Sequence, residues 1–74
     1  MSGFSQNIKS FRKKTNLTQK EISNKLGISE RAYQYYESGD REPNMETLKS
    51  IADTLDVSID YLLGRTENRF SHKN

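Results

Sequence analysis

The sequence predicts an all-α protein, five short helices packed as one domain. Two observations carry that expectation. Apolar residues recur at helical spacing in successive segments, and no stretch alternates at the period of a strand. Between the segments stand residues that start and stop helices: Thr18, Ser29, Asn44 and Ser58 on the N-terminal side, Gly27, Gly39 and Gly64 on the C-terminal side. A chain of 74 residues has room for one small domain with a thin core.

The elements follow in order. In the first segment, 4–15, Phe4, Ile8 and Phe11 form an apolar stripe, and Lys9, Lys13 and Lys14 lie opposite. The second, 18–26, opens with Thr18 and carries Glu21 three residues on, the signature of a capping box. Ile22 and Leu26 give its stripe, and Gly27 ends it. Ser29 caps a third helix, 30–38, which stops at Gly39. After the turn "DREP", Asn44 caps 45–55, whose stripe is Met45, Leu48, Ile51, Ala52 and Leu55. Ser58 caps a last short helix, 59–63, closed by Gly64. These elements define a domain over 4–64. The remaining "RTENRFSHKN", 65–74, has no period and is expected to be a frayed C-terminal tail.

Composition removes several function classes. No stretch approaches the ~18 consecutive apolar residues of a membrane span, and the N-terminus lacks the basic start and apolar run of a signal peptide. There is no cysteine, so no disulfide or thiol chemistry, which fits a cytoplasmic protein. The single histidine, His72, stands in the tail, and no Ser-His-acid set, HExxH or Gly-rich phosphate loop is present. The chain is expected to be no enzyme, with no cofactor, no metal site and no small-molecule ligand. The charge is unevenly placed: residues 1–41 hold eight Lys/Arg against four acids, and 42–74 hold four against six. A basic half is where a polyanion would bind, although a solvated charged face has the same composition.

The second and third helices are joined by only "GIS". So short a link, with glycine at its start, forces a sharp angle between them, the helix-turn-helix arrangement. In that arrangement the first helix crosses a DNA backbone and the second presents one face to the major groove. Helix geometry divides the third helix independently. At ~100° per residue, Glu30, Arg31, Gln34 and Tyr35 share one arc; Ala32, Tyr33 and Tyr36 share the other. The second arc is the more apolar, so Tyr33 and Tyr36 are core candidates and Tyr35 points outward.

Several motifs occur in one order at one spacing: "TQ" at 18–19, "LGIS" at 26–29, "YESG" at 36–39, "REPNMETL" at 41–48 and "VSIDYLLG" at 57–64. With "IKSFRKKTN" upstream, the stretch resembles the DNA-binding domain of the lambda repressor/Cro-like group, the XRE family, over about residues 4–64. The resemblance implies a compact lambda repressor-like bundle and a sequence-specific transcriptional regulator, most simply a bacterial or phage repressor. Combined with the helix geometry, it makes Glu30, Arg31, Gln34 and Tyr35 the base-reading candidates. Arg31 can pair with guanine O6 and N7, and Gln34 with adenine or with a phosphate. Tyr35 can meet a thymine methyl or donate to a phosphate. Two roles stay open for Glu30: accepting from cytosine N4, or favouring the helix dipole beside Arg31.

Gln19 matches the family's phosphate-contacting glutamine, with Ser29 and Arg41 as further candidates. Asn44 is either a phosphate contact or simply a cap. The family pattern also pairs an arginine late in the first helix with a glutamate ending the reading helix; here these are Arg12 and Glu37, a structural ion pair.

One reading helix contacts few base pairs, so a homodimer on a palindromic double-stranded operator is expected, with half-sites ~34 Å apart. Tyr61, Leu62, Leu63 and Phe70 are the candidate dimer surface, though Tyr61 and Leu62 can equally close the core. The rival class keeps the fold and binds a protein through the same face. Steep salt dependence separates DNA binding from it.

Overall fold

Each apolar-periodic segment forms a helix whose stripe joins a shared core, and side-chain caps start α2 to α5. A computed structural model describes residues 2–64. The helices are α1 (Ser2–Lys14), α2 (Gln19–Leu26), α3 (Glu30–Ser38), α4 (Met45–Leu55) and α5 (Ile59–Leu62), and no strand occurs among the described residues. The tail at 65–74, with Phe70 and His72, lies outside them.

The boundaries differ from the sequence-based expectation by one or two residues. α1 starts at Ser2 instead of Phe4. α2 starts at Gln19 because Thr18 has extended backbone angles and serves as the cap: its hydroxyl accepts from the Glu21 N–H at 3.0 Å, while the Glu21 carboxylate accepts from the Thr18 N–H at 2.8 Å. Those hydrogen bonds hold the Glu21 carboxyl below its ordinary pKa. Ser29, Asn44 and Ser58 cap α3, α4 and α5, accepting from the N–H of Ala32, Thr47 and Tyr61. α5 ends at Leu62, with Leu63 as its cap.

The core is shared by all the helices. Phe4, Ile8 and Phe11 of α1, Ile22 of α2, Tyr33 of α3, Leu48, Ile51, Ala52 and Leu55 of α4, Val57, and Leu62 of α5 form one buried cluster. α1 packs on α3 and α5, α2 on α3 and α4, and α4 on α5. Tyr33 is fully buried, and Tyr36 is half-buried against the cluster.

One residue departs from its stripe. Met45 shares the helical period of Leu48 and Leu55, yet it is 65% exposed. It occupies the first position of α4, after the exposed cap Asn44, while Pro43 two residues earlier is buried. At the other end of α4, Asp56 takes the left-handed conformation (φ 59°) in which glycine is the usual residue. Its N–H bonds the carbonyl oxygens of Ala52 and Asp53, and the Val57 N–H bonds that of Ala52 at 3.0 Å.

Candidate nucleic-acid interface

The α2–α3 turn sets the geometry of the site. Gly27 sits at φ 71°, left-handed, and its N–H bonds the Asn24 carbonyl. The Ile28 N–H reaches back to the Ser23 carbonyl at 3.1 Å, closing the helix end, and the Ile28 side chain packs against the core. Ser29 then restarts the helix at once. Three residues thus redirect the chain, and α3 leaves α2 with one face inward and one outward.

The outward face holds what the helix geometry placed there. Glu30, Arg31 and Gln34 are exposed, and Tyr35 is half-exposed. No hydrogen bond or ion pair engages the side chain of Glu30 or Arg31 among the described residues, so Arg31 does not neutralise Glu30. Tyr35 is less free. The Arg41 guanidinium lies over its ring, 4.7 Å from the centroid, and the Arg41 N–H bonds the Tyr35 carbonyl at 3.3 Å. The Ser38 hydroxyl donates to Asp40 Oδ2 at 2.9 Å and tightens the same turn. Arg41 therefore stands at the rim of the outward face, held there by stacking.

Beneath that face lies a buried polar network centred on Glu37. Arg12 Nε donates to Glu37 Oε2 at 2.5 Å and Arg12 Nη2 to Oε1 at 3.2 Å, a two-pronged pair whose side chains are 10% and 4% exposed. The Tyr33 hydroxyl donates to Oε2 at 2.6 Å, and Gln19 Nε2 donates to Oε1 at 3.0 Å. Arg12 Nη1 donates to the Leu17 carbonyl at 2.7 Å. Burial opposes the Glu37 charge, but the hydrogen bonds from Arg12, Tyr33 and Gln19 outweigh it and hold the carboxyl below its ordinary pKa. The hydrogen bond to Glu37 raises Arg12 further against burial. Burial, then the neighbouring Glu37, pushes Tyr33 far up, so its phenol stays protonated.

Gln19 is half-buried at the first position of α2 and connects the network to the surface, since Gln34 Nε2 donates to Gln19 Oε1 at 3.3 Å. This link between two candidate residues has no signature in the sequence. Nor does the clamp between α1 and α5, where Asn7 Nδ2 donates to the carbonyl oxygens of Tyr61 and Leu62 at 3.3 and 3.1 Å. Either could be suspected only from a polar residue standing beside an apolar stripe.

The remaining candidates divide. Ser29 is exposed but its oxygen already accepts from Ala32. Asn44 is exposed and caps α4 through Oδ1, so the cap accounts for its position. Tyr61 is half-buried, its ring 5.9 Å from that of Phe11 in an edge-to-face arrangement. Leu62 is fully buried in the chain's own core and is unavailable to a partner; it closes the core. Leu62 therefore belongs to the core and not to a dimer surface. Among the described residues, no group of His, Asp or Glu could hold a metal ion, and no helix is long and apolar enough to cross a membrane.

Five helices in this order, with a capped, glycine-started turn joining α2 to α3, define a helix-turn-helix domain of the lambda repressor kind. The chain belongs to that family: the helix-turn-helix family profile matches residues 8–62. It is 51% identical over 65 residues to an uncharacterized HTH-type transcriptional regulator of Bacillus subtilis, YqaE, covering 88% of this chain and 56% of that one. It is 50% identical over 54 residues to the cryptic phage CTXphi transcriptional repressor RstR of Vibrio cholerae, covering 73% and 48%. The chain thus spans about half the length of these relatives. In three dimensions it is similar to the P22 c2 repressor crystallised with a synthetic operator, with a TM-score of 0.80, 32% identity, and coverage of 85% and 96%.

Proposed function

We propose that this chain binds double-stranded DNA sequence-specifically as a transcriptional repressor, bacterial or phage-encoded, with α3 in the major groove and two copies on a palindromic operator. The observation that carries this reading is Arg31. It is an exposed guanidinium on the outer arc of α3 with no intramolecular partner among the described residues, on the helix that a helix-turn-helix presents to the groove. An arginine so placed can donate both N–H groups to guanine O6 and N7. Gln19 on one side and Arg41 on the other flank that face with donors suited to phosphate oxygens. Likeness to a repressor solved with its operator supports the same docking. Tyr61 with Leu63, both half-exposed on and just after α5, is the patch that a second copy would cover.

Selection of bound sequences from a random duplex pool tests the reading. The expected outcome is an enriched inverted repeat with half-sites about one helical turn (~34 Å) apart, bound with an affinity that falls steeply as salt rises. Failure to enrich any sequence at low salt would sink it. A partner captured with salt-independent affinity through the same face would favour a protein-binding role instead.

A further inference from the structure

We propose that Gln34 is a positioning residue for the backbone contact and not a base reader: its amide orients Gln19, the residue placed to meet a DNA phosphate. The inference rests on the DNA-binding reading given above.

The hydrogen bonds determine which way the Gln19 amide faces. An ionised carboxylate only accepts, so the NH2 end of Gln19 must face Glu37, where Nε2 meets Oε1 at 3.0 Å. The amide oxygen must then face away from Glu37, where only a donor can satisfy it. Gln34 Nε2 is that donor, at 3.3 Å. Both ends of the Gln19 amide are thereby assigned, and one N–H of its Nε2 remains for an acceptor such as a phosphate oxygen. Without Gln34, a bare carbonyl oxygen would stand beside the phosphates that Gln19 is meant to approach, and like partial charges repel. The same bond fixes Gln34 itself. An amide within hydrogen-bond reach of the first residue of α2 lies at the α2 edge of the outward face, away from its middle. The chain of contacts runs from the buried Arg12 through Glu37 and Gln19 to Gln34, so the rim of the interface is referenced to the core.

The contact is long for an N–H···O bond and exposed, so in the free protein it competes with water and adds little to folding. Under a bound duplex, water is excluded and the same bond strengthens. Its signature therefore belongs in binding and not in melting.

The test uses duplexes selected by the parent chain, with affinity measured for Gln19→Ala, Gln34→Ala, the double variant and Arg31→Ala, and a thermal melt of each. Gln34→Ala is expected to melt with the parent, to bind about two- to tenfold more weakly, the worth of one hydrogen bond, and to keep the parent's preference at every base position. The double variant should bind no more weakly than Gln19→Ala alone, because the two residues act as one. Gln34→Glu, which cannot donate to Gln19, should bind more weakly than Gln34→Ala. A changed base preference in Gln34→Ala, or independent losses that multiply in the double variant, would overturn the inference. If Arg31→Ala still loses selectivity in that case, the DNA-binding reading survives alone. A parent that selects no duplex overturns both.

Discussion

Glu37→Gln is the most informative single change to the fold. The substitution keeps the volume and one acceptor oxygen but removes the charge that Arg12 meets at 2.5 and 3.2 Å. The Arg12 guanidinium, with a side chain only 10% exposed, would keep the Leu17 carbonyl and one neutral amide oxygen in place of a carboxylate. Arginine cannot shed its proton to escape. Removing one partner of a buried pair costs about 3–5 kcal/mol, a large share of the total of order 5–10 kcal/mol expected for so small a domain. At ~4–8 °C per kcal/mol, the melting midpoint followed by far-UV circular dichroism at pH 7 should fall by at least roughly 12 °C. Arg12→Met should cost less. The stranded Glu37 would keep the Tyr33 and Gln19 donors and, unlike arginine, can neutralise itself by binding a proton. Melting of Glu37→Gln within a few degrees of the parent, or a larger loss in Arg12→Met, would refute this account of the network.

Three further outcomes are expected. Because Glu37 titrates lower folded than unfolded, its stabilisation is full above the ordinary carboxylate pKa of ~4.3 and disappears as pH falls through its lower folded value; melts between pH 7 and pH 2 should show that acid limb, flatter in Glu37→Gln. Gly27→Ala meets no atom within 4 Å of the new Cβ, so its cost is the left-handed backbone alone, about 1–2 kcal/mol by urea titration; an unchanged midpoint would mean the turn does not need the conformation. Arg31→Ala should leave the melt unchanged while weakening specific DNA binding by about 1–3 kcal/mol and relaxing one base position, read by competition with single-base operator variants.

What the sequence made legible is local. The Thr18–Glu21 box and the caps at Ser29, Asn44 and Ser58 each satisfy backbone groups within three residues, so short-range pattern suffices to see them. The division of the tyrosines was legible for the same reason: helical period alone separates the buried Tyr33 from the outward Tyr35. Period fails at the first position of α4, where Met45 is exposed, and it leaves Leu62 open between core and dimer surface, a choice that the packing of α5 settles by burying it. The Gln34–Gln19 and Asn7–α5 contacts bring together residues far apart in sequence through the packing of separate helices. No spacing rule records such a meeting. Nor does any local rule place Arg41 over Tyr35, which needs the exact path of the α3–α4 turn.

The lack of internal partners at Glu30 and Arg31 has a consequence for how such a domain can diversify. Since neither side chain bonds to the rest of the chain among the described residues, both positions can vary with little penalty to folding. Tyr35 and Gln34 are less free in what they can do at the interface, because Arg41 stacks on Tyr35 and Gln34 holds the amide of Gln19. A lineage that retargets this scaffold can therefore mutate the start of α3 one residue at a time, whereas its later turn has to change in pairs.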